Sequence, residues 1–452
     1  MADRVLSSFR DPSGYVFRQG DGFFRRITSQ GLADHDRFVR SGLADELLKA
    51  GLLVPFEEIS RDASGAVLRL ETLPFISYPY EWSFGQLRDA AALTLEIMRR
   101  SLEHDMVLKD ASAFNVAFRH GRPIFLDHTS FMVRRVNEPW RAYRQFVTHF
   151  LNPLLLMRKV DLRCLSLFRT DLGGIPLDLT SKLLPRRTWF DPNILIHVHL
   201  HARFDRHYSA DPQQRKIPAM SKGRLTNMIW SLEEWIRTMP IPKQLTQWEE
   251  YYGKTSYTEA SFQFKKEQVE AMCRNLHPDT TLDLGANTGV FSEVAARYSK
   301  RVIAADCDAQ SVEQLYRLGR SLKKTADFQP LLLDLNNPSP AVGVFNEERM
   351  PFFARCRSSL ALGLALIHHL RITGNWTPAQ IARLFSCCAP AALVEFVPRE
   401  DVQVKRLMRG REEFFEDWTL PDMLEAFRPE FPRIETVAIP GSPRTLIKLY
   451  KD

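Results

Sequence analysis

Thr281-Leu282-Asp283-Leu284-Gly285-Ala286-Asn287-Thr288-Gly289 closes an apolar run suited to a β-strand and opens a helical pattern, Val290 to Tyr298. Val302-Ile303-Ala304-Ala305 then reads as a second strand, with Asp306 at its tip. Gly285 and Gly289 carry no Cβ to obstruct a ligand approaching the backbone, and the adjoining helix start offers unpaired amides. A carboxylate about twenty residues after such a loop can accept both hydroxyls of a ribose. Working outward, strands at Thr280 to Leu284, Arg301 to Ala305, Phe328 to Leu333, Ser359 to Leu364, Ala391 to Phe396, Ile434 to Ala438 and Thr445 to Tyr450 alternate with helical patterns. That alternation predicts βαβ units and a doubly wound, parallel sheet.

The run LDLGANTGVFS followed by VIAAD resembles the class I S-adenosylmethionine-dependent methyltransferases, and the resemblance covers residues 248–452. It implies an α/β domain with a Rossmann-like seven-stranded methyltransferase sheet, and S-adenosyl-L-methionine as cofactor. Asp283 fits that family better than a dinucleotide-binding GxGxxG, because its members use such an acid near the methionine end of the cofactor. By the same likeness Gly285, Asn287 and Gly289 wrap the methionine and ribose, and Asp306 binds the ribose hydroxyls. Asp334, which ends Leu331-Leu332-Leu333, stands where the family often places an adenine-contacting acid. A Rossmann-like domain that binds no methyl donor is the alternative.

Methyl transfer is an in-line displacement, so the enzyme supplies alignment and, for a poor nucleophile, a base. The fourth strand leads into Leu366-Ile367-His368-His369. His368 and His369 are candidate general bases because histidine titrates near neutrality; the alternative is that they only cap or pack. Glu395, closing the fifth strand, is a second candidate for the same pocket, or an ordinary strand-end carboxylate. The (Asp/Asn)-Pro-Pro-(Tyr/Phe) box of nucleobase amino-group methylases is absent, which argues against adenine or cytosine N-methylation. The methyl acceptor is unspecified, and no metal site is assigned.

The front half, residues 1–138, reads as an α+β domain. Tyr15 to Arg18 and Phe23 to Ile27 form a hairpin, Asp34 to Ala50 a helix stopped by Gly51, and Leu53 to Ile59 and Ala66 to Leu73 two more strands; Gln86 to Ser101 is helical. Asp110-Ala111-Ser112-Ala113-Phe114-Asn115, a hairpin-like stretch to Leu126, and Asp127 look like the catalytic loop and metal-binding acid of protein-kinase-like folds. The departures are large: Leu108 replaces the usual histidine, Asp127-His128-Thr129 replaces Asp-Phe-Gly, and Arg25 or Arg26 sits where a phosphate-binding lysine is sought. A degenerate kinase-like domain that positions substrate is therefore expected. The rivals are an ATP-dependent phosphotransferase and a non-catalytic nucleotide-binding scaffold.

Residues 139–247 read as a helical, basic middle ending in a linker at Met239 to Lys243. From Arg134 to Arg224 there are 17 Lys and Arg against seven Asp and Glu, so the remainder of this +7 chain is slightly acidic. Such a segment can hold an anionic substrate or nucleic acid, or consist of solvated basic helices; nucleic acid is not favoured. His197, His199 and His201 share a face only on a strand, and the region reads as helical, which disfavours a metal there. With 44% hydrophobic and 25% charged residues the composition is globular. No apolar run is long enough to span a bilayer, and the six cysteines lack zinc-ligand spacing. A cytoplasmic protein with no membrane partner is expected.

Overall fold

The computed structural model describes residues 3–210, 219–242, 258–322 and 325–452. The chain divides into two compact units, Met1–Pro242 with Val342–Arg349, and Lys243–Ala341 with Met350–Asp452. The boundary expected at residues 247–248, and Lys243 at the end of the expected linker, lie outside the described residues.

The first unit opens with β1 (Asp3–Arg4), β2 (Gly14–Gln19) and β3 (Gly22–Thr28), followed by α1 (Leu32–Arg40), α2 (Leu43–Lys49), β4 (Phe56–Asp62) and β5 (Gly65–Leu70). The strands form an antiparallel sheet in the order β1-β2-β3-β5-β4, with Ile27, Ala66 and Leu68 in a small core. The spacing from Asp34 to Ala50 predicts one helix, but two form. Gly42 turns between them at φ 84°, a left-handed conformation that ends α1 and starts α2 on a new axis.

The long helix α3 (Phe84–Glu103) begins at a capping box in which Ser83 accepts from the Gln86 amide and the Gln86 side chain returns to Ser83. It buries Leu87, Ala90, Ala91, Leu95 and Met98, the stripe that the sequence period predicts. Next come β6 (Met106–Leu108), β7 (Val116–Arg119), β8 (Arg122–Phe125) and β9 (Phe131–Val133). β7 and β8 pair through His120 and Gly121, both at positive φ, while β6 pairs with β9. These pairings bring the Asp110 loop and Asp127 together.

The basic middle is helical: α4 (Tyr143–Phe146), α5 (Asn152–Lys159), α6 (Leu167–Thr170), α7 (Leu177–Leu183), α8 (Pro192–Ile194), α9 (His201–Ala210) and α10 (Lys222–Arg237), with π-helical turns at Val147–Leu151 and Leu195–Leu200. His197 meets the Tyr143 hydroxyl at 2.5 Å and His201 stacks on the Tyr143 ring, whereas His199 turns to Ser181 and Thr188. The three imidazoles do not converge on one point.

The second unit starts with α11 (Glu259–Leu276). Strands β10 (Thr280–Leu284), β11 (Arg301–Asp306), β12 (Asp327–Leu332), β13 (Leu360–Gly363), β14 (Ala391–Phe396), β15 (Arg433–Ala438) and β16 (Thr445–Tyr450) form one Rossmann-like sheet in the order β12-β11-β10-β13-β14-β16-β15. Only β16 runs against its neighbours. Helices α12 (Val290–Ala296), α13 (Ala309–Ser321), α14 (Phe352–Arg355), α15 (Pro378–Cys388), α16 (Val402–Met408) and α17 (Leu420–Phe427) connect the strands. The order reverses between β10 and β13, and the crevice beyond the carboxyl ends of the strands at such a reversal is where open α/β sheets hold ligands.

Candidate cofactor site and the acids around it

The loop leaving β10 contains three left-handed residues within five, Gly285 (φ 73°), Asn287 (φ 49°) and Gly289 (φ 91°). The amides of Gly285 and Ala286 both donate to the Ala305 carbonyl, at 2.9 and 3.0 Å, which ties the loop to the end of β11. Asp306 clamps it further, with one carboxylate oxygen accepting from the Asn287 amide and the other from the Asp308 amide, each at 2.8 Å.

A Cβ on Gly289 would lie 2.6 and 2.7 Å from the leucine methyls of Leu315 and Leu318 on α13, and the left-handed backbone there favours glycine. At Gly285 the nearest atom to an added Cβ is Leu366 Cδ1, at 3.2 Å, from the loop that follows β13.

Three carboxylates stand at or near the carboxyl ends of adjacent parallel strands. Asp283, on β10, is buried and accepts from the Ser292 hydroxyl at 2.6 Å; burial pushes its pKa up to about 6. Asp306, at the tip of β11, is also raised to about 6 by burial, with its amide donors pulling the other way. Asp334 lies two residues beyond Leu332, the register partner of Asp306, and is exposed, accepting from the Asn336 amide at 2.9 Å.

His368, His369 and Glu395 fare differently. Glu395 is fully buried and ion-paired, 2.6 Å from the Lys265 ammonium and 3.4 Å from Arg444, which in turn holds Asp401 at 2.8 Å. It is therefore part of a chain of two cations and two carboxylates. His368 is fully buried, neither ring nitrogen has a hydrogen-bond partner among the described residues, and burial holds its pKa well below 6.5. The His369 ring lies 4.1 Å away and is half-buried, with its pKa lowered to about 4. Just before them Ala365 sits at φ 50°, a conformation that alanine rarely adopts and that marks strain at this turn.

The sequence did not point to Lys265, Arg444 or Asp401. A signal existed for the first. Ser261, Lys265, Val269 and Met272 share the buried stripe of α11, so a lysine falls where the period demands an apolar side chain. Its ammonium also lies 4.9 Å from the centre of the Phe291 ring.

In the first unit Asp110, Asn115 and Asp127 do come together. The Asp110 carboxylate accepts from the Ser112 amide at 2.9 Å and from the side chains of Asn115 and Gln145; burial and the charge of Asp127 raise its pKa. Asn115 reaches the Ser130 hydroxyl at 3.3 Å, and that hydroxyl donates to Asp127. Asp127 is saturated by Arg25 of β3, the Thr129 amide and hydroxyl, and Ser130. Arg25 is thus the internal counter-ion of the acid that a kinase-like site would reserve for metal. Among the described residues no group of three or more His, Cys, Asp or Glu side chains is arranged to hold a metal ion.

No protein-family model matches the chain. It is 34% identical over 463 residues to the nodulation protein NoeA of Rhizobium meliloti (strain 1021), a match covering 98% of this chain and 95% of that protein. Among solved structures it is similar to the N-methyltransferase NodS from Bradyrhizobium japonicum WM9, with 13% identity, a TM-score of 0.29, and 42% of this chain and 96% of that one covered. It is also similar to the bifunctional kinase-methyltransferase WbdD, with 15% identity, a TM-score of 0.32, and 49% and 46% of the two chains covered. For the magnesium protoporphyrin IX methyltransferase ChlM from Synechocystis PCC 6803, solved with bound SAH, the values are 12%, 0.32, 49% and 94%.

Proposed function

The chain belongs to the family of the nodulation protein NoeA, and from that premise we propose that its second unit is an S-adenosyl-L-methionine-dependent methyltransferase. The observation that carries this reading is the set of acids Asp283, Asp306 and Asp334 at the carboxyl end of three adjacent strands, around a loop bent by Gly285, Asn287 and Gly289. A ligand with two ribose hydroxyls and a positively charged sulfonium and ammonium suits that donor set.

When bound, the cofactor supplies an electrophilic methyl carbon. The residues of this chain do the rest. Asp306 accepts the ribose hydroxyls with the lone pairs that Asn287 and Asp308 leave open, Asp334 serves the adenine side, and Asp283 contributes negative charge behind the loop. His369, neutral above about pH 4, is available to take a proton from the acceptor, with neutral His368 packed beside it. The turn at Ala365 leads into both histidines, and His369 is the more exposed of the two. The acceptor is left open.

The first unit selects or positions that acceptor, in a degenerate kinase-like arrangement in a cytoplasmic protein. Against the rival phosphotransferase stands the Arg25–Asp127 pair, which occupies the carboxylate that magnesium would need. Titrating the full chain separately with S-adenosylmethionine and with Mg-ATP separates the two. Saturable binding of the first without turnover of the second supports methyl transfer, and the opposite pair of results supports the rival.

A further inference from the structure

Buried His199 ties three segments of the first unit together beneath an exposed surface. Its Nδ1 meets the Ser181 hydroxyl at 2.8 Å, its Nε2 meets the Thr188 hydroxyl at 2.9 Å, and the Trp189 ring stacks on it with centroids 4.3 Å apart. The end of α7, the 3-10 turn Arg186–Phe190 and the helical stretch running from α8 into α9 therefore share one face. On that face Trp189, Phe190, Ile196 and Phe204 are exposed, Phe190 to 89%. Ile196 and Arg203, three residues before and four after His199, lie beside the Trp189 stack, and Phe204 is exposed on the next position of the same helix. Single exposed apolar side chains are ordinary, but a cluster of four on adjoining turns marks a contact surface.

Arg186, Arg187 and Arg203 are exposed on the same elements, and none is paired with a carboxylate among the described residues. The nearby acids are already engaged. Asp178 takes Lys182, Asp205 takes Arg144, and Asp191 caps α8 through the amides of Asn193 and Ile194. The face thus presents bulky apolar side chains among arginines that have no carboxylate partner among the described residues.

We propose that the face formed by the turn Arg186–Phe190 and the exposed side of residues 196–204 docks on an anionic membrane surface. The aromatic and aliphatic side chains enter the headgroup boundary, and the arginines pair with lipid phosphates. Ile196 offers no ring for base stacking and one face of Trp189 is already taken by His199, which favours lipid over nucleic acid. The sequence expectation of no membrane partner rests on spanning length. No described helix is long and apolar enough to cross a membrane, and surface docking needs none.

The test is cosedimentation of the full chain with vesicles of phosphatidylcholine alone or with about 30% phosphatidylglycerol. Binding to the anionic vesicles, absent with phosphatidylcholine alone and weakened by salt, is expected. R186E/R187E and F190S/I196S should each lower it at least about tenfold while leaving the melting temperature unchanged, since all four side chains are exposed. Failure to bind anionic vesicles, or binding by both variants as tight as by the wild type, overturns the proposal. Arginine-dependent binding of single-stranded RNA without vesicle binding overturns it in favour of nucleic acid.

Discussion

The Lys265 ammonium lies 2.6 Å from a carboxylate oxygen of Glu395, and neither side chain reaches solvent. The pair ties α11 to the end of β14, and through Arg444 and Asp401 it extends to the residues before β16 and the cap of α16. Charges removed from water in this way add little net stability over a well-packed apolar core, but losing one partner strands the other.

Lys265→Met should therefore destabilise the protein, by less than the about 3–5 kcal/mol of a fully stranded charge because Arg444 still faces Glu395, and Lys265→Met with Glu395→Gln should recover part of that loss. Guanidinium denaturation of the single and double variants reads both. A Lys265→Met protein as stable as wild type would mean that the pair is not ionised.

Asp127→Asn is expected to destabilise the first unit strongly. The acid is the counter-ion of buried Arg25, and its loss leaves a guanidinium uncompensated, again at about 3–5 kcal/mol. Combining it with Arg25→Leu should restore much of the stability. Magnesium-dependent ATP turnover should be absent from the wild type, and its presence there, abolished by Asp127→Asn, would revive the phosphotransferase reading.

Acid should weaken the first unit. His128, whose Nε2 meets the Val54 carbonyl, and His149 are buried, and burial lowers each to about 3. A histidine that is neutral when folded but free to charge when unfolded contributes stability above its unfolded pKa of about 6.5, and that contribution falls as pH drops from there toward 3. Thermal melts from pH 7 to pH 4 should show a falling transition that His128→Gln makes shallower.

Cofactor affinity should rise with pH. Burial raises Asp283 and Asp306 to about 6, so the ionised fraction of each increases between pH 5 and pH 7.5. A cationic ligand binds the ionised form, which predicts a gain of about tenfold per coupled group between those two values and a plateau above. Dissociation constants at pH 5 and pH 7.5 measure it, and a flat profile would remove both acids from the site.

The strands of the second unit were legible because buried parallel strands are short apolar runs. Ala391–Phe396 and Thr280–Leu284 begin and end where the sequence puts them, and β13 is only one residue shorter at each end. The helix read from Asp34 to Ala50 was not, because the period continues across Gly42 although the backbone turns there. Long-range pairs leave no local trace. Lys265 and Glu395 are 130 residues apart and Arg25 and Asp127 are 102 apart, so the saturation of both candidate acids appears only in three dimensions. The same holds for residues 342–349, which group with the first unit, where Glu348 meets Arg10 and Arg349 lies 4.2 Å over the Phe114 ring.

The most direct measurement is calorimetric titration of the full chain with S-adenosylmethionine, comparing wild type with Asp306→Ala. The wild type should bind saturably. The variant loses charge-assisted hydrogen bonds to the ribose at about 1.5–3 kcal/mol apiece, a loss in affinity of roughly tenfold or more. Absence of binding by the wild type, or an affinity unchanged in Asp306→Ala, would contradict the assignment of this loop as the methyl-donor site.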